Sequence, residues 1–249
     1  MFSVDDRERL QCRILAMAEG DGRVVSAARI GSLAMDEGDR WSDLDLTFAV
    51  DDSVPIAAVL DDWTASVVAE LKAVKLFDLP SGPSIYRVFL LPGCLQLDLS
   101  FTPAAEFRAR GPRFALLFGR AQEPVFPQPI SAEDLFGYAV HHAVRTRVCL
   151  ERERYWQAEY WLSSCRDYAL HLACRNRGLP AHHGRGFDDL PDELRQRFAV
   201  SLVAALEPDR LLPALGIVVA GLLDEARDLA IAGPIEADLL ALASRSPSS

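Results

Sequence analysis

The feature that most constrains this chain is a set of three acidic residues on two apolar stretches. Asp43 and Asp45 enclose Leu44 at the start of Asp-Leu-Asp-Leu-Thr-Phe-Ala-Val, and Asp98 stands in Leu-Gln-Leu-Asp-Leu-Ser-Phe. Both patterns predict strands, in which residues i and i+2 point to the same face. Neighbouring carboxylates repel unless a cation lies between them, and Mg²⁺ prefers hard oxygen ligands. We therefore predict a Mg²⁺ site formed by Asp43, Asp45 and Asp98.

A second motif is the pair Gly31-Ser32, which follows a predicted strand. Glycine lets the backbone approach a ligand closely, and free backbone N–H groups with a hydroxyl suit a phosphate. Arg40 and Ser42 lie in the loop that leads to the acidic pair. Arg40 is placed to reach a phosphate, whereas Ser42 either caps the loop or contacts the nucleotide. These four residues form the predicted nucleotide-binding set.

The order of these motifs resembles the nucleotidyltransferase superfamily, which includes DNA polymerase beta and the antibiotic adenylyltransferases. Its pattern is a Gly-Ser turn, an Asp-x-Asp pair on an apolar strand and a distal acid between apolar residues, and residues 22–101 match it. The resemblance implies that Asp43 and Asp45 hold Mg²⁺ against the triphosphate of ATP or another nucleotide. It also implies that Asp98 either binds the catalytic metal or accepts the proton of the acceptor hydroxyl.

Two domains are predicted along the chain, and the expected fold class is α+β. Residues 1–125 mix helix and strand patterns and are expected to form a catalytic nucleotidyltransferase domain around a small mixed sheet. Residues 126–249 carry helical patterns and are expected to form a C-terminal helical bundle that binds the substrate. Residues 103–130, rich in Pro and Arg, are expected to be an irregular connection.

This arrangement resembles the aminoglycoside and lincosamide nucleotidyltransferases, in which the substrate lies between the two domains. Within the helical domain, one helix is expected over residues 191–206. Disorder is expected for residues 246–249, which are rich in serine.

A candidate acid for the acceptor lies in a long predicted helix of the second domain. Trp156, Glu159, Tyr160 and Ser163 share one helical face. A carboxylate beside aromatic rings suits an amino sugar and is able to accept a proton from an acceptor hydroxyl, so Glu159 joins the catalytic candidates. Two other interpretations stay open. In one, Glu159 forms an ion pair between helices with an arginine such as Arg152 or Arg166; in the other, Trp156 and Trp161 pack in the core.

Charge and composition narrow the partners and the location. The 249 residues include 36 acidic and 26 basic ones, with a formal net charge of −10. This acidic balance argues against a nucleic-acid partner and is compatible with a cationic small molecule. The longest apolar run contains Pro213 and is too short to span a membrane. Five cysteines without CxxC spacing, and an N-terminal segment without a leader pattern, predict a cytoplasmic protein.

Together these observations predict a Mg²⁺-dependent enzyme that transfers a nucleoside monophosphate to a hydroxyl of a small molecule. AMP from ATP and an aminoglycoside-type acceptor are expected. Two alternatives stay open: transfer to a protein or a tRNA, as in a modifier or toxin, and nucleotide sensing without catalysis. The choice between Asp98 and Glu159 as general base, and the oligomeric state, also stay open.

Overall fold

The computed structural model describes residues 1–35 and 37–244, so the predicted disorder of residues 246–249 lies outside the described residues. The chain divides into two compact units, Met1–Gln128 and Pro129–Ser249. The first combines a mixed six-stranded sheet with helices, and the described part of the second is helical. The predicted α+β fold class is therefore confirmed. The roles given to the two domains stay predictions.

Each unit has its own set of elements. Those of the first unit are, in chain order, α1 (Val4–Gly20), β1 (Val24–Ile30), β2 (Leu44–Val50), α2 (Ile56–Leu71), β3 (Val74–Ser81), β4 (Ser84–Leu91), β5 (Leu95–Pro103) and β6 (Phe114–Phe118). The helices of the second unit are α3 (Ala132–Glu151), α4 (Tyr155–Asn176), α5 (Asp192–Ala199), α6 (Pro208–Glu225) and α7 (Glu236–Ser244).

The sheet of the first unit has the strand order β3-β4-β5-β2-β1-β6. β2 and β5 lie side by side in parallel, and the other neighbours are antiparallel. The expectation that residues 103–130 are irregular is wrong for β6, which pairs with β1. This strand has only five residues, and its partner lies far earlier in the chain, so its local sequence carries a weak signal.

Three aromatic side chains fix one face of the central strands. Phe48 of β2 and Phe101 of β5 are register partners, and their ring centroids lie 5.4 Å apart. Trp63 of α2 packs on both, at 5.0 Å from Phe48 and 5.1 Å from Phe101. All three are buried, and each is expected to contribute about 3 kcal/mol through burial. Because these rings point towards α2, the side chains that alternate with them along β2 and β5 point to the other face of the sheet.

The second unit is built on α3 and α4, which a three-residue turn connects and which pack together with α6 around an apolar core. The helix predicted over residues 191–206 is wrong beyond Ala199, where α5 ends. Hydrogen bonds of Ser201 explain this end: its hydroxyl donates to the Phe198 carbonyl (2.6 Å), and its own carbonyl accepts from Arg166 Nη2 (2.7 Å). None of the helices in the described part of the chain has the length and apolar character needed to cross a membrane.

Candidate active site

The three predicted acids lie together at one edge of the parallel strand pair. Asp45 of β2 and Asp98 of β5 are register partners, and Asp43 lies just before β2 begins. One carboxylate oxygen from each residue lies within 4.8 Å of the others, and all three residues are half-buried. Both strand positions are three residues before the buried phenylalanines, so alternation turns their side chains to the opposite face. The structure thus brings the predicted metal-binding residues together.

The surroundings of Asp98 disfavour its charged form. The pKa of Asp98 is raised to about 6, mainly because burial disfavours its charged form, and the negative charge of Asp43 raises it further. Gln96 opposes this by donating from Nε2 to both carboxylate oxygens of Asp98, at 3.1 and 3.2 Å. A bound divalent cation would favour the ionised form of all three acids.

Glycine is required at position 31 by conformation and by space. Gly31 has φ of +73°, in the left-handed region that side chains disfavour. A Cβ at this position would lie 2.2 Å from Oδ2 of Asp45. The turn after β1 therefore brings the backbone directly against one of the candidate metal ligands.

A hydrogen-bonded chain connects this turn to the loop before Asp43. The Ser32 hydroxyl donates to Ser42 Oγ (3.1 Å), and the backbone N–H of Asp39 donates to the same oxygen (3.0 Å). The Ser42 side chain thus orders the loop, and its role towards a nucleotide stays a prediction. Arg40 is exposed, and its guanidinium lies over the neighbouring Trp41 ring at 4.3 Å.

Arg7 is a positioning residue of this loop that sequence reasoning missed. It is buried on α1, and its Nη1 donates to the carbonyls of Asp39 (2.6 Å) and Ser42 (2.8 Å). A signal was present in the sequence, because Arg7 occupies the buried stripe of α1 together with Leu10 and Ile14 at i, i+3 and i+7. A buried arginine in such a stripe needs acceptors, and here the loop carbonyls supply them.

Glu159, the fourth predicted catalytic residue, belongs to α4 of the second unit. Its Oε1 accepts from the Ser163 hydroxyl (2.9 Å), and that hydroxyl oxygen also accepts from Arg166 Nη1 (3.3 Å). Its Oε2 is buried without a hydrogen-bond partner among the described residues. Ser163 thus links the acid to a buried arginine, and one carboxylate oxygen is left for a further donor.

Of the two tryptophans expected to pack in the core, Trp161 packs against the apolar core of the second unit, whereas Trp156 does not. Trp156 is 82% exposed and Tyr160 is 65% exposed, so the expectation that Trp156 packs in the core is wrong. The reason is that α4 buries the stripe of Ala158, Leu162 and Cys165, which leaves the Trp156–Tyr160 side of its first turns outside. Two exposed aromatic rings therefore flank the acid.

One further polar group lies on the carboxylate side of the sheet. Ser100 follows Asp98 at i+2 and is 1% exposed. Its hydroxyl oxygen has no hydrogen-bond partner among the described residues. The sequence pattern placed Ser100 on the polar face of β5, but it gave no indication that the hydroxyl is buried.

No protein-family model matches this chain, and the search of curated proteins gives no match. Among solved structures, the chain is similar to an aminoglycoside 6-adenyltransferase from Bacillus subtilis, with 11% sequence identity and a TM-score of 0.39. The alignment covers 93% of this chain and 96% of that chain. A similarity at this level transfers neither residue roles nor a substrate.

Proposed function

We propose that this chain is a Mg²⁺-dependent nucleotidyltransferase that moves AMP from ATP to a hydroxyl of a small cationic molecule of the aminoglycoside type. The observation that carries the proposal is the convergence of Asp43, Asp45 and Asp98, whose oxygens lie within 4.8 Å of one another. The close approach of Gly31 to Asp45 supports it, because a phosphate turn beside metal ligands is what triphosphate binding requires.

The residues present fit a magnesium ion. Three carboxylates supply hard oxygen donors, and one oxygen of each lies within 4.8 Å of the others. Asp43, Asp45 and Asp98 would hold the ion. When bound, it would neutralise charge on the triphosphate and on the leaving pyrophosphate.

The chain's own groups would position the reactants. Backbone N–H groups at Gly31 and the hydroxyl of Ser32 would hold the phosphates, while Arg7 keeps the loop before Asp43 in place through two carbonyls. The acceptor oxygen forms a bond to the α-phosphorus, and the bond from that phosphorus to the bridging oxygen breaks and releases pyrophosphate. The hydroxyl proton passes to a carboxylate, for which Asp98 and Glu159 are the two candidates.

Charge and surface chemistry support a cationic sugar as the acceptor. The chain has a formal net charge of −10, which attracts cations over a distance. Glu159 has a buried oxygen without a partner among the described residues, beside the exposed rings of Trp156 and Tyr160. Ammonium groups interact favourably with carboxylates and with aromatic faces.

The proposal is tested by pyrophosphate release from ATP and Mg²⁺ with a panel of aminoglycosides and lincosamides. We expect release that depends on one acceptor and a product heavier by one AMP. Asp43→Asn should abolish it, whereas Asp5→Asn, an exposed acid at the start of α1, should leave it unchanged. Nucleotide binding without release for any acceptor, or release that survives Asp43→Asn, would contradict the proposal.

A further inference from the structure

We propose that Gln96 is a positioning residue that holds the Asp98 carboxylate in the orientation in which it binds a divalent cation. Gln96 precedes Asp98 by two residues on β5, and both side chains are half-buried. Residues two apart on a strand point to the same face of the sheet. This inference deepens the proposed function and rests on it, because it concerns the metal site that the proposal assigns to the three acids.

The neighbours of Asp98 on its face of the sheet include one residue that donates a hydrogen bond to it. Its register partners are Asp45 on β2, which is itself an acid, and Val88 on β4, which is apolar. Its neighbours along β5 are Gln96 and Ser100. The hydroxyl oxygen of Ser100 has no partner among the described residues. In the part of the chain that the structure describes, Gln96 is therefore the neighbour that restrains the Asp98 carboxylate.

The contact with Gln96 fixes the plane of this carboxylate. Nε2 of Gln96 lies 3.1 Å from Oδ1 and 3.2 Å from Oδ2 of Asp98, so one amide nitrogen donates to both oxygens almost equally. The torsion that rotates a carboxylate about its Cβ–Cγ bond has a broad, two-fold preference, so the rotamer alone does not select this plane. Each carboxylate oxygen has two lone pairs, and the hydrogen bond leaves one of them for a cation.

The amide of Gln96 also suits a cation site because it carries no charge. A lysine or arginine at this position would donate to Asp98 but would repel a divalent cation. An aspartate or glutamate would add a further negative charge beside the three acids. Groups that orient a metal-binding side chain change the metal affinity when they are replaced, so we expect the loss of this amide to weaken cation binding by about 10- to 100-fold.

The first test is the affinity of the full chain for Mn²⁺ without nucleotide, measured by electron paramagnetic resonance. Gln96→Met keeps the length of the side chain and removes the amide, and its Kd should rise by about 10- to 100-fold over the wild type. The matched control is Ser100→Ala, which removes a hydroxyl without a described partner at the same spacing from Asp98. This control should bind Mn²⁺ like the wild type. Circular dichroism and melting curves in EDTA show whether each variant is folded.

Gln96→Asn provides a second variant in case the methionine variant does not fold. Asparagine keeps the amide, but its side chain is one methylene shorter and does not reach both oxygens of Asp98 in the same geometry. The Kd for Mn²⁺ should therefore rise in this variant as well. Wild-type affinity in folded Gln96→Met, or in Gln96→Asn if only that variant folds, would overturn the inference.

A second measurement separates the orientation of Asp98 from general damage to the site. In the transfer reaction, Gln96→Met should raise the Mg²⁺ concentration that gives half of the maximal rate by the same factor as the Kd. The rate at saturating Mg²⁺ should return nearly to that of the wild type, because a weakened binding step is overcome by concentration. A lower saturating rate with an unchanged Mg²⁺ requirement would contradict the inference.

The Mn²⁺ titration also distinguishes failure of this inference from failure of the proposed function. If the wild type binds Mn²⁺ and Asp98→Asn weakens binding while folded Gln96→Met does not, the role of Gln96 alone is wrong. If the wild type binds no Mn²⁺, the metal site is wrong, and both proposals are overturned.

Discussion

The two faces of β2 and β5 carry different side chains: one is apolar and buried, and the other carries the acids. On one face, Phe48 and Phe101 are fully buried and pack on Trp63, which is what a stable core requires. On the other, Asp45 and Asp98 lie side by side, with the charge of Asp43 nearby. On each strand, the acid and the buried phenylalanine are three positions apart. Packing on one side of these strands therefore provides a rigid scaffold that holds the acids close together on the other side.

The largest effect is expected from breaking the carboxylate face. Asp43→Asn removes a charged group that we propose binds the metal, and it should lower the transfer rate by about 1,000-fold or more, since the lost electrostatic stabilisation amounts to several kcal/mol. Initial rates at saturating ATP and Mg²⁺ measure this. The melting temperature should not fall, and a lower one accompanied by unchanged activity per folded molecule would show that Asp43 is structural.

A substitution on the apolar face should instead mainly lower the stability of the fold. Phe48→Ala removes a buried ring from the contact with Trp63 and Phe101 and should lower the free energy of unfolding by about 3–5 kcal/mol. Urea unfolding measures the loss. If stability changed by less than about 1 kcal/mol, this face would not be the scaffold described here.

Gly31→Ala tests the close contact between the turn after β1 and the acid Asp45. The added Cβ collides with Asp45 Oδ2, and the positive φ adds about 1–2 kcal/mol of strain. We expect a loss of transfer activity of about 10- to 100-fold, because a displaced ligand misplaces the reacting groups. Gly82→Ala is a matched control: its φ is also positive, but the added Cβ has open space around it. Equal losses in both variants would contradict the role of the close contact.

The ion pair of Asp21 with Arg23 should make the stability of the first unit depend on pH. Hydrogen bonds from Arg23, and further from Trp63, lower the pKa of Asp21 to about 2. A lowered carboxyl pKa stabilises the fold above the unfolded value of 3.8 and loses this contribution as pH falls towards 2. Asp21→Asn should therefore cost about 1–2 kcal/mol at pH 7 and almost nothing near pH 2, as measured by urea unfolding across pH. A cost independent of pH would reject the ionic explanation.

The smallest effect is expected from relieving repulsion on the carboxylate face. Asp98→Asn removes a half-buried charge beside Asp43 and should raise the stability of the metal-free protein by about 1 kcal/mol. Thermal melting in EDTA measures this gain. An ion that binds the folded protein raises its stability. Added Mg²⁺ should therefore stabilise the wild type more than the variant, which lacks one of the proposed metal-binding carboxylates. A variant that melts lower than the wild type in EDTA would mean that the Asp98 charge stabilises the fold.

Short-range sequence patterns were sufficient to predict the fold class and the three residues of the acidic cluster. Alternation around Asp98 and the apolar flanks of Asp45 identified both strands, and alternation is a short-range property. The register that sets these two residues opposite each other is a contact between distant segments, which the resemblance implied and the sequence alone did not fix.

Contacts over long sequence distances account for what was missed. Arg7 reaches carbonyls of Asp39 and Ser42, more than 30 residues later, and no local rule predicts such a contact. β6 was missed because only its pairing with β1 makes a five-residue apolar segment a strand. The exposure of Trp156 depends on which stripe of α4 faces the core, and two aromatic residues at i and i+4 fit either side.

The most direct test of the central claim is a titration with Mn²⁺, a spectroscopic substitute for Mg²⁺ at carboxylate sites, followed by electron paramagnetic resonance. The wild type should bind Mn²⁺, and more tightly with ATP present. Asp43→Asn, Asp45→Asn and Asp98→Asn should each weaken binding, with Asp5→Asn unchanged. Binding that is equal in all five proteins would contradict the account, because it would show that the three converging acids do not hold a metal.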